Sequence, residues 1–217
     1  MSNNKDGSKN ESTPLETLPR ETLTRENLAR ETPARENPWK TLSTQPVYNN
    51  DWIKVEEHKV VNPGGSDGIY GKVSFKNQAV GIIPVDADGN TWIVGQHRYT
   101  LNEWSWEIPM GGSPKKEDKI KTAKRELEEE TGLISGEITQ LLHLHPSNSI
   151  TDEQGYVYLA TDLSAGVQAL EDTEKDIEVK KLPFKDVVEM ASKGEITDAI
   201  SVAGIFYLAL NWNQYFK

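Results

Sequence analysis

Apolar and polar positions follow different patterns in the two ends of the chain. From about Trp39 onward, runs of β-branched and aromatic residues alternate with turn-forming residues, a pattern typical of short strands. The segment Asp88-Gly89-Asn90 separates two of these runs and predicts a hairpin turn. The runs predict strands at Trp52–Val61, Tyr70–Phe75, Ala79–Pro84, Thr91–Tyr99, Ile138–Leu144, Gly155–Ala160 and Ile177–Lys181.

Three later segments have helical spacing. The first is predicted from Lys116 to Thr131, with Gly132 ending it in the left-handed conformation. Two more are predicted over Phe184–Ser192 and Thr197–Asn211. The apolar face of the last helix is expected to consist of Ile200, Ala203, Phe206, Tyr207 and Leu210. Strands before, around and after one charged helix predict an α+β fold, with a mixed sheet flanked by helices.

The first 38 residues lack any such pattern. Between Glu16 and Asn37 an Arg-Glu pair recurs every five residues, and a five-residue step turns about 500° around a helix, so no apolar stripe forms. Pro19, Pro33 and Pro38 further disfavour a continuous helix. We interpret residues 1–38 as a disordered, repeat-containing tail rather than a partner-binding arm, and residues 39–217 as the folded domain.

Composition narrows the possible functions. The chain has 217 residues, 24 Lys and Arg against 34 Asp and Glu, and a formal net charge of −10. The acidic surplus argues against general binding to nucleic acids or anionic membranes. The absence of cysteine rules out disulfides, cysteine-ligated metals and a thiol nucleophile, so the chemistry must use oxygen and nitrogen ligands. With a polar start and no long apolar run, we expect a cytoplasmic protein.

Acidic side chains are concentrated in the predicted helix that ends at Thr131. Glu126, Glu129 and Glu130 lie three and four residues apart and converge along one edge, whereas Glu128 points about 200° away from Glu126. Their mutual repulsion is unfavourable unless a cation binds, and all-oxygen ligands suit Mg²⁺ or Mn²⁺. Taken alone, an acidic run is more often a solvated helix face.

The residues around this run carry a complete motif. Gly111, Glu117, Arg125, the three convergent glutamates and Gly132 spell G-x5-E-x7-R-E-U-x-E-E-x-G-U, where U is a bulky apolar residue. This resembles the Nudix hydrolase signature. The resemblance implies a mixed sheet sandwiched between helices (α/β/α) with an N-terminal antiparallel β extension. It also implies that Glu126, Glu129, Glu130 and the carbonyl of Met110 bind metal ions, and that Glu117 and Arg125 pair to brace the loop.

The residues before the motif narrow the substrate class. Gly95-Gln-His-Arg98 and the segment from Trp104 to Gly112 resemble the context found in pyrophosphatases that act on ADP-ribose and nucleoside diphosphate sugars. Arg98 is predicted to grip a phosphate, since a guanidinium binds phosphate bidentately; the alternative is a surface salt bridge. Glu107 is predicted to contact the ligand or its supporting residues, or else to brace the strand end.

Two further groups complete the predicted site. The polar loop from Pro146 to Glu153 lies where this subgroup often carries a catalytic glutamate, so Glu153 is the preferred general base or fourth metal ligand, with Asp152 as the fallback. A box glutamate, Glu126 or Glu130, is the other candidate base. Trp39 and Trp52 precede the motif and are candidates for stacking on adenine, because aromatic faces bind bases without reading sequence; core packing is the alternative.

Together these features predict a Mg²⁺-dependent pyrophosphatase that cleaves ADP-ribose or a related nucleoside diphosphate sugar into a nucleoside monophosphate and a sugar phosphate. Its partner would be this small molecule, and relatives are commonly homodimers. One alternative is another Nudix substrate, such as a dinucleoside polyphosphate or an oxidised nucleotide. Another is a Nudix-fold sensor that binds ADP-ribose without turnover.

Overall fold

A computed structural model describes residues 36–170 and 172–216. The predicted disordered tail therefore lies almost entirely outside the described residues. From Lys40 onward the chain forms one compact unit. No helix in the described ranges is both long and apolar enough to cross a membrane.

The described residues contain ten strands arranged in three sheets, with the orders β1-β2-β3, β10-β5-β6 and β7-β4-β9-β8. Only β4 and β9 are parallel neighbours within these sheets. The strands are β1 Lys40–Asn49, β2 Ile53–Val61, β3 Asp67–Phe75, β4 Asn77–Pro84, β5 Asn90–Arg98, β6 Glu103–Glu107, β7 Met110–Pro114, β8 Leu133–Leu144, β9 Gly155–Ala165 and β10 Glu178–Pro183.

Four α-helices accompany these strands in the described part of the chain. They are α1 Lys119–Thr131, α2 Phe184–Ser192, α3 Ala199–Leu210 and α4 Trp212–Tyr215, and a short 3-10 turn spans Asp172–Glu174. The prediction for α2 agrees with the structure at both ends, and α1 begins three residues later than expected because Asp118 caps it. As predicted, Gly132 ends α1 with a left-handed φ of 69°.

The four-stranded mixed sheet separates two apolar layers. Val80 and Ile82 of β4 face α1, where they pack with Ala123 and Leu127. Ile83 of the same strand faces the opposite side, in a core that includes residues of α2 and α3. Alternate residues of one strand therefore enter different layers, as expected for a sheet covered on both faces. This arrangement and the antiparallel β1–β3 sheet agree with the predicted fold class.

Some local predictions were incomplete or wrong. Residues 86–90 do form a tight turn, in which the amide of Gly89 donates to the carbonyl of Asp86 at 3.0 Å. The turn closes only a minimal hairpin, however: Val85, just after β4, forms an isolated antiparallel bridge with Thr91, and β4 and β5 themselves belong to different sheets. Three strands, β1, β6 and β7, were not predicted.

The predicted buried face of α3 was only partly right. Ile200 is buried and Phe206 and Tyr207 pack against the core, as predicted, but Leu210 is 80% exposed. The other buried residues are Ser201, Gly204, Ile205 and Leu208. The helix is apolar nearly all round, so its pattern did not identify one face. Small residues decide the packing: a Cβ on Gly204 would lie 2.8 Å from the side chain of Val157.

Candidate active site

Helix α1 presents its carboxylates to strand β7, which precedes it in the chain. Its N-terminus is fixed by Asp118, whose side chain accepts a hydrogen bond from the amide of Ile120 at 3.1 Å. Its C-terminus is fixed by Gly132, whose amide donates to the carbonyl of Glu128 at 2.8 Å. With both ends fixed, Leu127 turns into the core and Glu126 and Glu130 lie on the face towards β7.

Glu126 and Glu130 are buried carboxylates, with exposures of only 4% and 1%. Burial raises the pKa of Glu126 to about 7, an effect that Arg125 opposes. Burial also raises the pKa of Glu130 to about 9, and the charge of Glu126 adds to this rise. Both groups therefore disfavour ionisation together unless a cation compensates them.

The first residues of strand β7, Met110 to Gly112, are in direct contact with these two acids. The amide of Met110 donates to Oε2 of Glu130 at 2.9 Å. A Cβ at Gly111 would lie closer than 3.0 Å to the carboxylate of Glu126, a distance that real side chains essentially never show. Glycine is therefore required at position 111 for the carboxylate of Glu126 to lie against the backbone of β7.

Arg125 links strand β7 to helix α1, but its partners differ from those predicted. Its guanidinium pairs with Glu126 at 2.7 Å and with Glu129 at 2.8 Å, and it donates to the carbonyl of Gly112 at 3.3 Å. The predicted pair between Glu117 and Arg125 was wrong in this structure: Glu117 instead accepts a weak hydrogen bond from Thr122 at 3.4 Å. The reason is local. Glu129 lies one helical turn from Arg125 and Glu126 follows it directly in the chain, whereas Glu117 precedes Asp118, the N-cap of α1.

The donor set fits a hard divalent cation. Among the described residues no three acidic or histidine side chains form a ready-made metal cage. Mg²⁺, however, commonly uses one or two carboxylates and completes its shell with water and substrate phosphates. Two buried carboxylates whose pKa values stay raised despite their contacts with Arg125 and the Met110 amide, with Glu129 on the same helix edge, match that requirement.

Arg98 and Glu107 form a bidentate pair across β5 and β6. Nε of Arg98 donates to Oε1 of Glu107 at 2.8 Å, and Nη2 donates to Oε2. Glu107 is buried, whereas Arg98 remains partly exposed. Hydrogen bonding to Glu107 raises the pKa of Arg98. The pair fixes the guanidinium and still leaves one of its terminal nitrogens, Nη1, outside the hydrogen bonds to Glu107.

A cleft of about 400 Å³ brings several of the predicted residues together. Its lining consists of Trp52, Phe75, Asn77, Gln78, Ala79, Arg98, Met110, Gly111, Gly112 and Glu153. A larger cavity, about 610 Å³, lies by the 88–90 turn against Phe184 and Trp212 and contains none of the predicted site residues. Chemistry rather than size therefore identifies the first cleft as the candidate site.

Glu153 and Asp152 have different surroundings although they are adjacent. Burial raises the pKa of Glu153, and the charge of Asp198 adds to this rise. Asp152 is instead occupied by the amide of Phe75 at 3.0 Å and by Lys72 at 3.3 Å. These contacts, with a hydrogen bond from Ser74, outweigh the effect of burial and lower the pKa of Asp152. The structure therefore gives Asp152, the fallback base, a scaffolding position.

The two tryptophans differ in what the structure says of them. Trp52 lines the cleft and is 69% exposed, so its ring is available for stacking. Trp39 is 40% exposed, and its amide donates to the side chain of Asn37 at 3.0 Å. A stacking role remains a prediction for both.

Two acids near the site were not considered from sequence. The charge of Glu174, in the turn after β9, raises the pKa of both Glu126 and Glu130. Asp198 caps α3 through the amide of Ser201 at 2.8 Å, and its charge acts on both Arg98 and Glu153. An aspartate before an apolar run is a recognisable cap signal. For Glu174 only an acidic stretch was visible, and its position depends on the tertiary fold.

Comparison with known proteins gives a consistent result. The NUDIX domain matches residues 76–202, and a nucleoside diphosphate sugar hydrolase N-terminal domain matches residues 39–73. An ADP-ribose pyrophosphatase from Bacillus subtilis (strain 168) is 30% identical over 172 residues, 79% of this chain and 92% of that protein. Another, from Mycobacterium tuberculosis (strain ATCC 25618 / H37Rv), is 31% identical over 173 residues, 76% of this chain and 81% of that protein.

A solved structure is similar as well. The crystal structure of an ADP compounds hydrolase superposes with a TM-score of 0.74, covering 84% of this chain and 99% of that chain. The sequence identity is 18%, so this likeness concerns the fold. It agrees with the mixed sheet between helices described above.

Proposed function

Because the chain belongs to the Nudix family, we propose that it is a pyrophosphatase that hydrolyses ADP-ribose or a related nucleoside diphosphate sugar to a nucleoside monophosphate and a sugar phosphate. One observation carries the proposal: a single cleft joins Arg98 and Glu153 to the start of β7, residues 110–112, which contacts the buried Glu126 and Glu130. The names of the two relatives and of the matched N-terminal domain support the substrate class.

A divalent cation, Mg²⁺ in preference to Mn²⁺, would be held by Glu126, Glu129 and Glu130, with the carbonyl of Met110 as a further ligand. When bound, such an ion neutralises pyrophosphate oxygens and acidifies a water molecule that attacks phosphorus. The protein positions these acids: Gly111 lets the carboxylate of Glu126 approach the backbone of β7, and the amide of Met110 donates a hydrogen bond to Glu130.

Arg98 would bind the diphosphate, and Glu107 would position it. A guanidinium already paired on one edge is restricted in rotation, so little conformational entropy is lost when Nη1 binds a phosphate oxygen. Arg125 and Glu117 would maintain the loop and helix around the cation. Arg125 does so through the carbonyl of Gly112.

The general base is assigned to Glu153. Its raised pKa makes it a stronger base than an exposed glutamate, and it lies in the cleft. Glu174 is the competing candidate, because its charge acts on both buried carboxylates. Comparing Glu153→Gln with Glu174→Gln decides between them: the base variant should lose turnover far more than substrate affinity.

The β1–β3 sheet would serve as a dimer interface and help to hold adenosine. Every residue of β1 is exposed, including Leu42, Val47 and Tyr48, and Ile69 of β3 is exposed too. An edge strand uncovered on both faces and bearing apolar side chains favours association with a second copy. Trp52 and Trp39 lie at this end of the sequence and would stack on the base. We propose that the protein acts in the cytoplasm. Its proposed partner is a small-molecule nucleotide substrate.

The test is a substrate panel with the full chain. ADP-ribose, UDP-glucose, GDP-mannose, diadenosine polyphosphates and 8-oxo-dGTP would be incubated with Mg²⁺, with Mn²⁺ and with EDTA, and the nucleotide products quantified. We expect ADP-ribose to be hydrolysed faster than the other substrates, to yield AMP, and to be hydrolysed only when a divalent metal ion is present. Preference for a dinucleoside polyphosphate or 8-oxo-dGTP would replace the substrate class. Binding of ADP-ribose without turnover would indicate a sensor.

A further inference from the structure

Strand β3 has neighbours on both of its edges. One edge pairs with β2 along the whole strand, from Ile53–Phe75 to Val61–Asp67. The other edge meets the loop before β9: the amide of Val73 donates to the carbonyl of Ile150 at 2.9 Å, and the amide of Asp152 donates to the carbonyl of Val73 at 3.2 Å. These bonds form a short parallel ladder around the bridge Val73–Thr151.

The side chain of Asp152 takes the next place in this ladder. In a continuing parallel ladder, the amide of Phe75 would donate to the main-chain carbonyl of residue 152. Here it donates to Oδ1 of the Asp152 side chain at 3.0 Å, while Oδ2 lies 3.3 Å from Nζ of Lys72. The carboxylate thus ends the ladder and releases the main chain to turn away from β3.

The chain is anchored again immediately after this turn. The amide of Ala79 donates to the carbonyl of Gln154 at 2.9 Å, and Gly155 then pairs with Ala79 as β9 begins beside β4. Glu153 is the one residue between the two anchors. It lies where the loop crosses from β3 to β4, and its side chain lines the cleft beside Phe75 and Ala79.

We propose that Asp152 is a positioning residue for the reaction: by ending the β3 ladder it sets the place of Glu153 in the cleft and ties the loop from Pro146 to Glu153 to the β1–β3 sheet. This inference rests on the proposed function. It gives two adjacent acids separate tasks, one that holds the backbone and one that faces the substrate. The lowered pKa of Asp152 and the raised pKa of Glu153 agree with this division.

The test compares Asp152→Ala, Asp152→Asn, Glu153→Gln and the double variant Asp152→Ala/Glu153→Gln, with Lys72→Met as a control for the ion pair. For each full-length variant, kcat and KM for ADP-ribose with Mg²⁺ are measured together with Tm. We expect Asp152→Ala to lower kcat about 10- to 100-fold with little change in KM, since small displacements of a reacting group have effects of this size. Asp152→Asn should recover much of this loss, because its amide oxygen still accepts from Phe75.

The double variant makes the decision. If Asp152 acts through Glu153, the double variant should be no slower than Glu153→Gln alone, and Lys72→Met should stay within about threefold of wild type. The inference would be overturned if the losses in kcat of the two single variants multiplied in the double variant. It would also be overturned if Asp152→Ala or Glu153→Gln kept the wild-type kcat, or if Asp152→Ala lowered Tm without lowering kcat. If Asp152→Ala does not fold, Asp152→Leu, which has a similar shape but no acceptor for the Phe75 amide, takes its place in the cycle, alone and with Glu153→Gln. Failure of the proposed function is separate, since wild type would then release no AMP.

Discussion

The α1 helix and the β1–β3 sheet meet solvent in opposite ways. Glu126 and Glu130 are almost fully buried although they are acids, whereas every residue of β1 is exposed although several are apolar. Both arrangements are unfavourable for an isolated chain, since a buried charge needs a counter-charge and an exposed apolar strand needs a cover. The comparison teaches that each region leaves something unmatched within the chain, positive charge around the buried carboxylates and an apolar cover over the exposed strand; a cation and a second copy are the proposed partners.

The strongest test of the buried region is Glu130→Gln. Removing the charge while keeping an acceptor for the Met110 amide should preserve the fold and lower kcat by at least about 10³-fold, because the charge acts on the transition state. Steady-state kinetics and a thermal melt check this. Turnover near wild type would remove Glu130 from the site and weaken the contrast between the two regions.

A matched pair of glycines sharpens the contrast next. Gly111→Ala forces the carboxylate of Glu126 to move and should lower kcat about 100-fold, whereas Gly71→Ala in β3 meets nothing within 4 Å and should leave kcat and Tm nearly unchanged. Kinetics on both proteins decide the matter. Equal effects of the two substitutions would contradict the packing of Gly111 against Glu126.

The exposed region is tested by Val47→Glu. A charge in β1 should prevent a second copy from covering the sheet and raise KM for ADP-ribose about tenfold, equivalent to about 1.4 kcal/mol, with kcat per chain little changed. Light scattering and kinetics measure both effects, with Lys193→Gln on α2's C-terminal side as the control. A variant that remains a dimer with wild-type KM would show that β1 is not the interface.

The last test concerns the stability of the domain without metal. The folded-state pKa values of Glu126 and Glu130, about 7 and about 9, lie above the ordinary value of 4.5, so the native state binds more protons between those limits. The free energy of unfolding should therefore fall as pH rises from 4.5 to 9, by at most about 1.4 kcal/mol per pH unit for each proton.

Urea denaturation in EDTA measures this slope, and the double variant Glu126→Gln/Glu130→Gln serves as the control. The slope should shrink in that variant, since neither glutamine titrates. Mg²⁺ should also reduce the fall for wild type. A stability that rises with pH over this range would contradict the burial of the two acids.

Features set by short-range pattern were predictable from the sequence, whereas those set by tertiary packing were not. The closure of α1 at Gly132 and both ends of α2 follow local rules. Strand β6 was missed because its burial is inverted: Ser105 and Glu107 are buried, whereas Trp104 is exposed. That inversion depends on Arg98, which compensates Glu107, and on Gly95, where a Cβ would lie 2.6 Å from Trp106.

Other omissions have the same origin. Strand β1 buries no side chain and contains Pro46, so no alternation marks it. Strand β7 consists mainly of small residues and proline, and its pairing with β4 is what extends it. Within the site, the motif identified the convergent glutamates, but the proximity of Glu174 and Asp198 depends on how distant strands and helices meet. The roles assigned to all these side chains remain predictions.

The mixed sheet has a consequence for how the domain unfolds. Strand β4 supplies Ile82 to the layer beneath α1 and Ile83 to the layer beneath α3, and β9 likewise supplies Tyr158 to one and Leu159 to the other. If one layer loses its packing, β4 and β9 are loosened, and the other layer packs against the same two strands. We therefore expect a single cooperative melting transition from Lys40 onward, in which substitutions on opposite faces of β4 are not additive.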